Sequence, residues 1–234
     1  MQDIRQKING EFDKKYGEII CECSQFEDLP GFSEFMDTDS SSFKVIKTIS
    51  HLRNQNRWAA YSYRTDCSVL GHLFDTAIFS YLISLEEGYT EEIASKNFFI
   101  GIFHDVPETF TMDIPSPIKD GIPGFRKLSE AYELMMMEEK LYPSFSKYVQ
   151  KAIKTVMMEE EQNAEVRSLI KGADYMSAAT EIWRQACAGS RDSEFYKAVK
   201  GQLKKFESGI AKIGEVEKRI YMDISETCKK CFIL

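Results

Sequence analysis

The chain has 234 residues, 43% hydrophobic and 29% charged, with 16 Phe and 11 Tyr, enough apolar side chain to bury a sizeable core, so global disorder is excluded. Its formal charge of −7 opposes a phosphate backbone or an anionic membrane. Nucleic-acid polymers and membranes are therefore not expected partners, whereas a small phosphate held in a local basic pocket is compatible with an acidic chain.

Residues 3–24 carry mixed charges around Ile4, Ile8, Phe12, Ile19 and Ile20 and predict an amphipathic helix. Residues 27–42 predict a linker, because Pro30, Gly31 and a serine run break regular structure. A helix is expected from Phe43 to Leu52, then a polar stretch from Arg53 to Cys67 that contains Arg57 and Trp58. Over 69–86, Leu70, Leu73, Phe74, Ala77, Ile78, Tyr81, Leu82 and Leu85 recur at helical spacing. Thr90 with Glu91 and Glu92 marks the next helix start, and the run Asn97 to Phe103 is apolar nearly all round, as a central buried helix should be. Pro107, Pro115, Pro117 and Pro123, four of the six prolines, then fall within 17 residues. A rigid irregular loop directly after the most buried helix is where a site is expected.

Helices resume at about 124–141, 144–160, 164–189 and 192–230, with no hairpin signal and no internal repeat. The expected fold class is all-α: an N-terminal helix and linker (1–42), one helical domain (43–190) and a helical C-terminal extension (191–234). Val199, Leu203, Phe206, Ile210 and Ile213 give that extension an apolar stripe that docks on the core or on a second copy, so a homodimer is compatible. No apolar run approaches the roughly 20 residues of a bilayer span. Met1 to Phe12 lacks the apolar centre of a secretory leader, so a cytoplasmic location is expected. The six cysteines are then read as reduced thiols; Cys21-x-Cys23 is a poor partner spacing for a zinc shared with Cys228-x-x-Cys231.

Four polar residues stand where the pattern expects apolar ones. His72 precedes Leu73 near the start of its helix, His104 and Asp105 end the buried run, and Asp174 lies one turn beyond Ile170 on the face marked by Val166, Leu169, Ile170 and Ala173. An unpaired carboxylate in a core costs several kcal/mol, so it demands a partner. Two imidazoles and two carboxylates on one divalent cation satisfy all four together, and that donor set suits Co, Mn, Fe, Ni or Zn better than Ca or Mg.

The order His72, His104-Asp105, Asp174 resembles the H…HD…D signature of the HD-domain metal-dependent phosphohydrolases. With Asn56-Arg57-Trp58, Ser68-Val-Leu-Gly-His72, His104-Asp-Val-Pro-Glu108, Asp113-Ile-Pro-Ser-Pro-Ile-Lys119 and Ile170-Lys-Gly-Ala-Asp174, it is similar to the bacterial 5′-deoxynucleotidase subgroup over about residues 45–190. The resemblance implies a single HD-domain helical bundle that hydrolyses nucleoside 5′-monophosphates, deoxyribonucleotides preferred, by attack of a metal-bound water. It implies His72, His104, Asp105 and Asp174 as ligands of one divalent transition metal. Glu108, with Asp105, forms the catalytic group, Glu108 orienting and deprotonating the water. Arg57 is implied to bind the phosphate and Trp58 to wall the sugar against a 2′-hydroxyl. Asp113 is implied to accept from the 3′-hydroxyl, with Ile114, Pro115, Ser116 and Lys119 completing the substrate loop.

Two positions depart from the pattern. Gly71 stands where relatives commonly carry Glu, so the carboxylate that would support His72 has to come from elsewhere or is missing. Met112 replaces a small residue before Asp113. The competing readings are an HD hydrolase of a triphosphate, a cyclic nucleotide or an alarmone, and a non-catalytic nucleotide sensor. The alarmone option lacks its Glu-Asp pair after His104-Asp105, and a sensor has no need of Glu108.

Overall fold

The computed structural model describes residues 40–58, 64–112, 114 and 116–190 with the single positions 197, 219, 222 and 226, and omits the side chains of 41, 42, 116, 117, 120 and 159–161. The helix expected at 3–24, nearly all of that at 192–230, most of the 27–42 linker, the tail stripe and four of the cysteines lie outside the described residues, while Cys67 is a buried free thiol and Cys187 is exposed. The fold is all-α.

Helix α1 (Ser41–Asn54) starts earlier than expected, because Ser40 Oγ accepts from the Phe43 amide at 3.0 Å and caps it. The chain then doubles back. Val69 N donates to the Gln55 carbonyl at 2.8 Å and Arg57 N to the Cys67 carbonyl at 2.7 Å, around an isolated antiparallel bridge between Asn56 and Ser68. This clip fixes Arg57 and Trp58 at the start of α2 (Val69–Glu86), which Ser68 caps. Thr90 caps α3 (Glu91–Phe103) as its sequence predicts.

α2 packs mainly on α3 and on α8 (Ala164–Cys187), the last described helix. The buried face of α2 differs from the apolar stripe read in the sequence. Leu73 and Ala77 are buried, but beside them lie His72, Thr76, Ser80 and Ser84, while Phe74, Ile78, Leu82 and Leu85 are 53%, 36%, 49% and 40% exposed. Ser80 and Ser84 are accommodated on the inner face because their polarity is met locally, whereas the buried Thr76 hydroxyl makes no hydrogen bond among the described residues. Ser80 donates to the Thr76 carbonyl, Ser84 to that of Ser80, and Asn97 Nδ2 to Ser84 Oγ at 2.9 Å. Their small size also lets α3 come close: a Cβ on Gly101 would lie 2.8 Å from Ala77 Cα. Of the described helices α2 alone is long and apolar enough to cross a membrane by length and composition, and its inner face is core. α3 is less enclosed than its composition suggests, with Ile100 and Gly101 buried and Phe99 51% exposed.

The proline-rich loop contains two short helices, α4 (Glu108–Thr111) and α5 (Ser116–Gly121). Next come α6 (Phe125–Met136), a wide π turn (Met137–Leu141), a 3-10 turn (Tyr142–Ser144) and α7 (Lys147–Gln162). Leu52, Val69, Leu73, Val106, Met137 and Leu141 form one core cluster with Tyr142 and Ile153; Ile83, Ile100, Ile170, Ala173 and Met176 form another with Leu169. Each large side chain fully buried there contributes about 1.5–3 kcal/mol. These clusters hold α2, α3 and α8 in register, and those three helices, with the turn that ends α3, carry the four polar residues singled out above.

Candidate metal centre

His72 comes from the first turn of α2, His104 caps the C-terminal end of α3, and Asp174 lies mid-way along α8. One donor atom from each of the three falls within 4.8 Å of the others. His72 Nε2 is 3.0 Å from Asp174 Oδ1, and the two imidazole centroids are 5.8 Å apart. Asp105 approaches this cluster through His104, its Oδ2 being 3.1 Å from His104 Nε2.

The outer nitrogens settle which atoms face inward. His104 Nδ1 donates to the Gly101 carbonyl at 2.7 Å, and a carbonyl can only accept, so the proton sits on Nδ1. His72 Nδ1 is 2.8 Å from Ser177 Oγ, whose own hydroxyl reaches the His72 carbonyl at 3.4 Å; Nδ1 is therefore the donor here too. Both rings present Nε2 to the carboxylates. These two nitrogens are buried and make no hydrogen bond of acceptable geometry, although each has a carboxylate oxygen about 3 Å away. Lone pairs held face to face in this way need a positive charge between them, and a divalent cation fits the set.

The electrostatics agree. Burial disfavours the His104 cation, but the Asp105 carboxylate outweighs burial and, with Asp174 and the Gly101 carbonyl, lifts its pKa to about 9. Burial alone would raise Asp105, yet the His104 charge holds it below the usual carboxylate range. Asp174 is likewise pulled well down against its own burial, first by the Lys171 ammonium on its Oδ2 and then by His72. Without metal, protons and Lys171 supply the positive charge that the carboxylates require.

Glu108, 7% exposed, opens α4 three residues after Asp105, and Lys119 Nζ donates to its Oε1 at 3.0 Å. Burial disfavours the Lys119 ammonium, but Glu108 overcomes this and raises its pKa. A cavity of about 200 Å³ opens beside the metal donors, lined by His104, Asp105, Glu108, Lys119, Arg126 and Ser129 among others. Asp113 and Pro115 lie outside the described residues, as does the Ser116 side chain; Ile114 is half-buried. Met112, just before Asp113, has φ 63° and ψ 166°, a backbone region that favours glycine, and its side chain is 64% exposed.

On the opposite side of His72, Arg57 and Trp58 meet a residue that the motif comparison did not single out. Glu181, 2% exposed, accepts from Trp58 Nε1 through Oε2 at 2.8 Å; Arg57 Nε is 3.4 Å from the same oxygen, and Oε1 is 3.6 Å from His72 Nδ1. Burial would raise its pKa, but Arg57, His72 and Trp58 together lower it. Trp58 itself has φ 61°, and its ring lies 6.0 Å from the Arg57 guanidinium. The support that Gly71 cannot give His72 thus comes from α8, as Ser177 and Glu181. The sequence carried a signal for both: they follow Asp174 by three and seven residues and so share its helix face.

The sequence and the fold have known counterparts. The family model for 5′-deoxynucleotidase YfbR-like proteins matches residues 44–224. A 5′-deoxynucleotidase of Yersinia pestis (strain Pestoides F) is 26% identical over 163 residues, 67% of this chain and 79% of its own length. Among solved structures, the HD phosphohydrolase DatZ of cyanophage S-2L, bound to dA and one catalytic Zn2+ ion, aligns with a TM-score of 0.56 at 15% identity, covering 79% of this chain and 96% of its own. A conserved hypothetical protein from Pyrococcus furiosus aligns at 0.55 with 19% identity, covering 80% and 99%. The chain belongs to the 5′-deoxynucleotidase YfbR-like family.

Proposed function

We propose that this protein hydrolyses nucleoside 5′-monophosphates to nucleoside and phosphate, deoxyribonucleotides ahead of ribonucleotides, with one divalent transition metal held by His72, His104, Asp105 and Asp174. The observation that carries the reading is the pair of buried, inward-facing Nε2 atoms beside carboxylates, with Glu108 on the adjoining cavity. Nitrogen and carboxylate donors favour Co, Mn, Fe, Ni or Zn. Bound there, such a cation acidifies a water and neutralises charge on the phosphoryl group.

The chain's own residues supply the rest. Glu108 accepts the proton of the attacking water, and Lys119, paired to its Oε1, holds the carboxylate in place. Arg57 presents a guanidinium to the phosphate, a geometry for which lysine is a poor substitute. The Trp58 indole N–H is already given to Glu181, so its ring offers a 2′-hydroxyl no donor, which favours a deoxyribose. The resemblance gives Asp113 the 3′-hydroxyl and Ile114, Pro115 and Ser116 the substrate loop. The phosphorus–O5′ bond breaks in line with the incoming oxygen and needs no covalent enzyme intermediate.

A cytoplasmic homodimer is part of the same proposal. The cytoplasmic setting is supported by the free, buried Cys67 thiol, and the dimer by the exposed stripe Phe74, Ile78, Leu82 and Leu85 on α2. Sedimentation of the full chain at micromolar concentration tests the assembly. The activity is tested by phosphate release from matched 5′- and 3′-monophosphates of ribo- and deoxyribonucleosides. Release confined to 5′-monophosphates and faster for the deoxy series is expected; equal release from 3′-monophosphates contradicts the reading.

A further inference from the structure

Glu181 is a buried carboxylate that faces Trp58, Arg57 and His72 at once, and it is not among the residues expected to touch metal or substrate. Its two oxygens serve different neighbours. Oε2 takes the Trp58 N–H and faces Arg57, and Oε1 puts negative charge 3.6 Å from His72 Nδ1. That last distance is too long for a hydrogen bond, and the bond itself goes to Ser177 at 2.8 Å. α8 therefore supports His72 with a hydrogen-bond acceptor one turn after Asp174 and a charge two turns after it. The same charge reaches the clip 55–58, where Trp58 holds a left-handed φ of 61° that a tryptophan rarely adopts unaided.

We infer that Glu181 is a positioning residue that ties metal affinity to sugar selectivity: one buried carboxylate backs the His72 imidazole, seats Arg57 and keeps the Trp58 indole N–H occupied. The inference rests on the nucleotidase reading for its sugar part and on geometry alone for its metal part. A neutral amide at this position cannot meet all three groups. If Gln keeps its oxygen on Trp58, it turns N–H donors toward His72 Nδ1–H. If it turns its oxygen to His72, the indole N–H is released into the sugar pocket, where a 2′-hydroxyl can accept from it.

The test is Glu181→Gln in the full chain, beside Ser177→Ala and Glu181→Asp, with melting temperature as the check on folding. Co2+ affinity is read by competition with a chelator, and kcat and KM are read on a 5′-deoxynucleoside monophosphate and its ribo counterpart. Glu181→Gln is expected to weaken Co2+ binding about tenfold or more, as loss of an outer-sphere partner does. It should also raise KM and lower the deoxy-to-ribo ratio of kcat/KM several-fold. Ser177→Ala should weaken Co2+ binding with the ratio unchanged, and Glu181→Asp, which keeps the charge, should recover most of the Co2+ affinity. Co2+ affinity within twofold of wild type in Glu181→Gln, or an unchanged sugar ratio in an active enzyme, overturns the inference. Wild-type protein that releases no phosphate from either nucleotide overturns the nucleotidase reading alone, and the Co2+ arm still decides the role of Glu181 at His72.

Discussion

Ser177 Oγ lies 2.8 Å from His72 Nδ1 and donates its own hydroxyl to the His72 carbonyl, so a residue one turn along the helix from Asp174 fixes which imidazole nitrogen faces Asp174. Ligand and orienting group thus ride on one rigid helix. Gly101 does the same for His104 from within α3, through its carbonyl at 2.7 Å. Both imidazoles are oriented by backbone or buried groups before any cation arrives, which lowers the ordering cost of binding one.

That orientation makes metal uptake pH-dependent. In the metal-free protein His104 has its pKa raised from 6.5 to about 9, so its cation stabilises the fold fully below pH 6.5, and this stabilisation is lost as pH rises through about 9. A metal must displace the Nε2 proton. Apparent affinity is therefore expected to rise about tenfold per pH unit from roughly 6.5 to 9 and then level off. Chelator competition at several pH values checks this, and an affinity flat across the range contradicts it.

Glu108→Gln separates chemistry from metal binding. The residue contacts Lys119 and borders the cavity but is not in the His72–His104–Asp174 cluster. Metal affinity is expected to stay within a few-fold of wild type while kcat falls by about 100- to 10,000-fold. Steady-state kinetics on metal-saturated protein measure the second and chelator competition the first.

Arg57→Lys should act on substrate binding. Lysine keeps a positive charge near Glu181 but loses the fork that grips two phosphoryl oxygens. KM for the 5′-monophosphate is expected to rise by roughly tenfold or more, the cost of about one charge-assisted hydrogen bond, with metal affinity little changed. A KM equal to wild type would remove Arg57 from the phosphate site.

The order of the long described helices, the Thr90 cap and the span Val69–Glu86 were legible in the sequence because hydrophobic period and capping residues are local signals, whereas the Ser68 cap is seen only in the structure. That His72, His104 and Asp174 come together, with Asp105 against His104, was legible for a different reason: these residues violate that period, and burial demands a shared partner for them. The inner face of α2 was not legible. Which stripe faces in depends on how closely α3 approaches, and that is set by Gly101 against Ala77, a contact between residues 24 apart in the chain. The resemblance assigns Lys119 to the substrate loop; its pairing with Glu108 was not legible, because the two lie in separate short helices, α5 and α4, eleven residues apart. Glu181 was hidden in the same way: its spacing from Asp174 marks the helix face, but its three neighbours come from the other end of the domain.

Gly101→Ala tests that close approach. The added Cβ would lie 2.8 Å from Ala77 Cα and 3.1 Å from Ala77 N, and backbone atoms cannot move aside cheaply. A loss of about 1–3 kcal/mol is expected, lowering the melting temperature by several degrees. Because the Gly101 carbonyl holds His104, Co2+ affinity should fall as well. An unchanged melting temperature would show that α2 and α3 are not this close.

The most direct test of the central claim is phosphate release from a 5′-deoxynucleoside monophosphate by chelator-stripped protein as Co2+, Mn2+ or Zn2+ is added back, with Asp174→Ala alongside. The account predicts no release from stripped protein, full release at about one metal per chain, and none from Asp174→Ala at the same metal concentration. Release that survives stripping, or that Asp174→Ala retains, would contradict it.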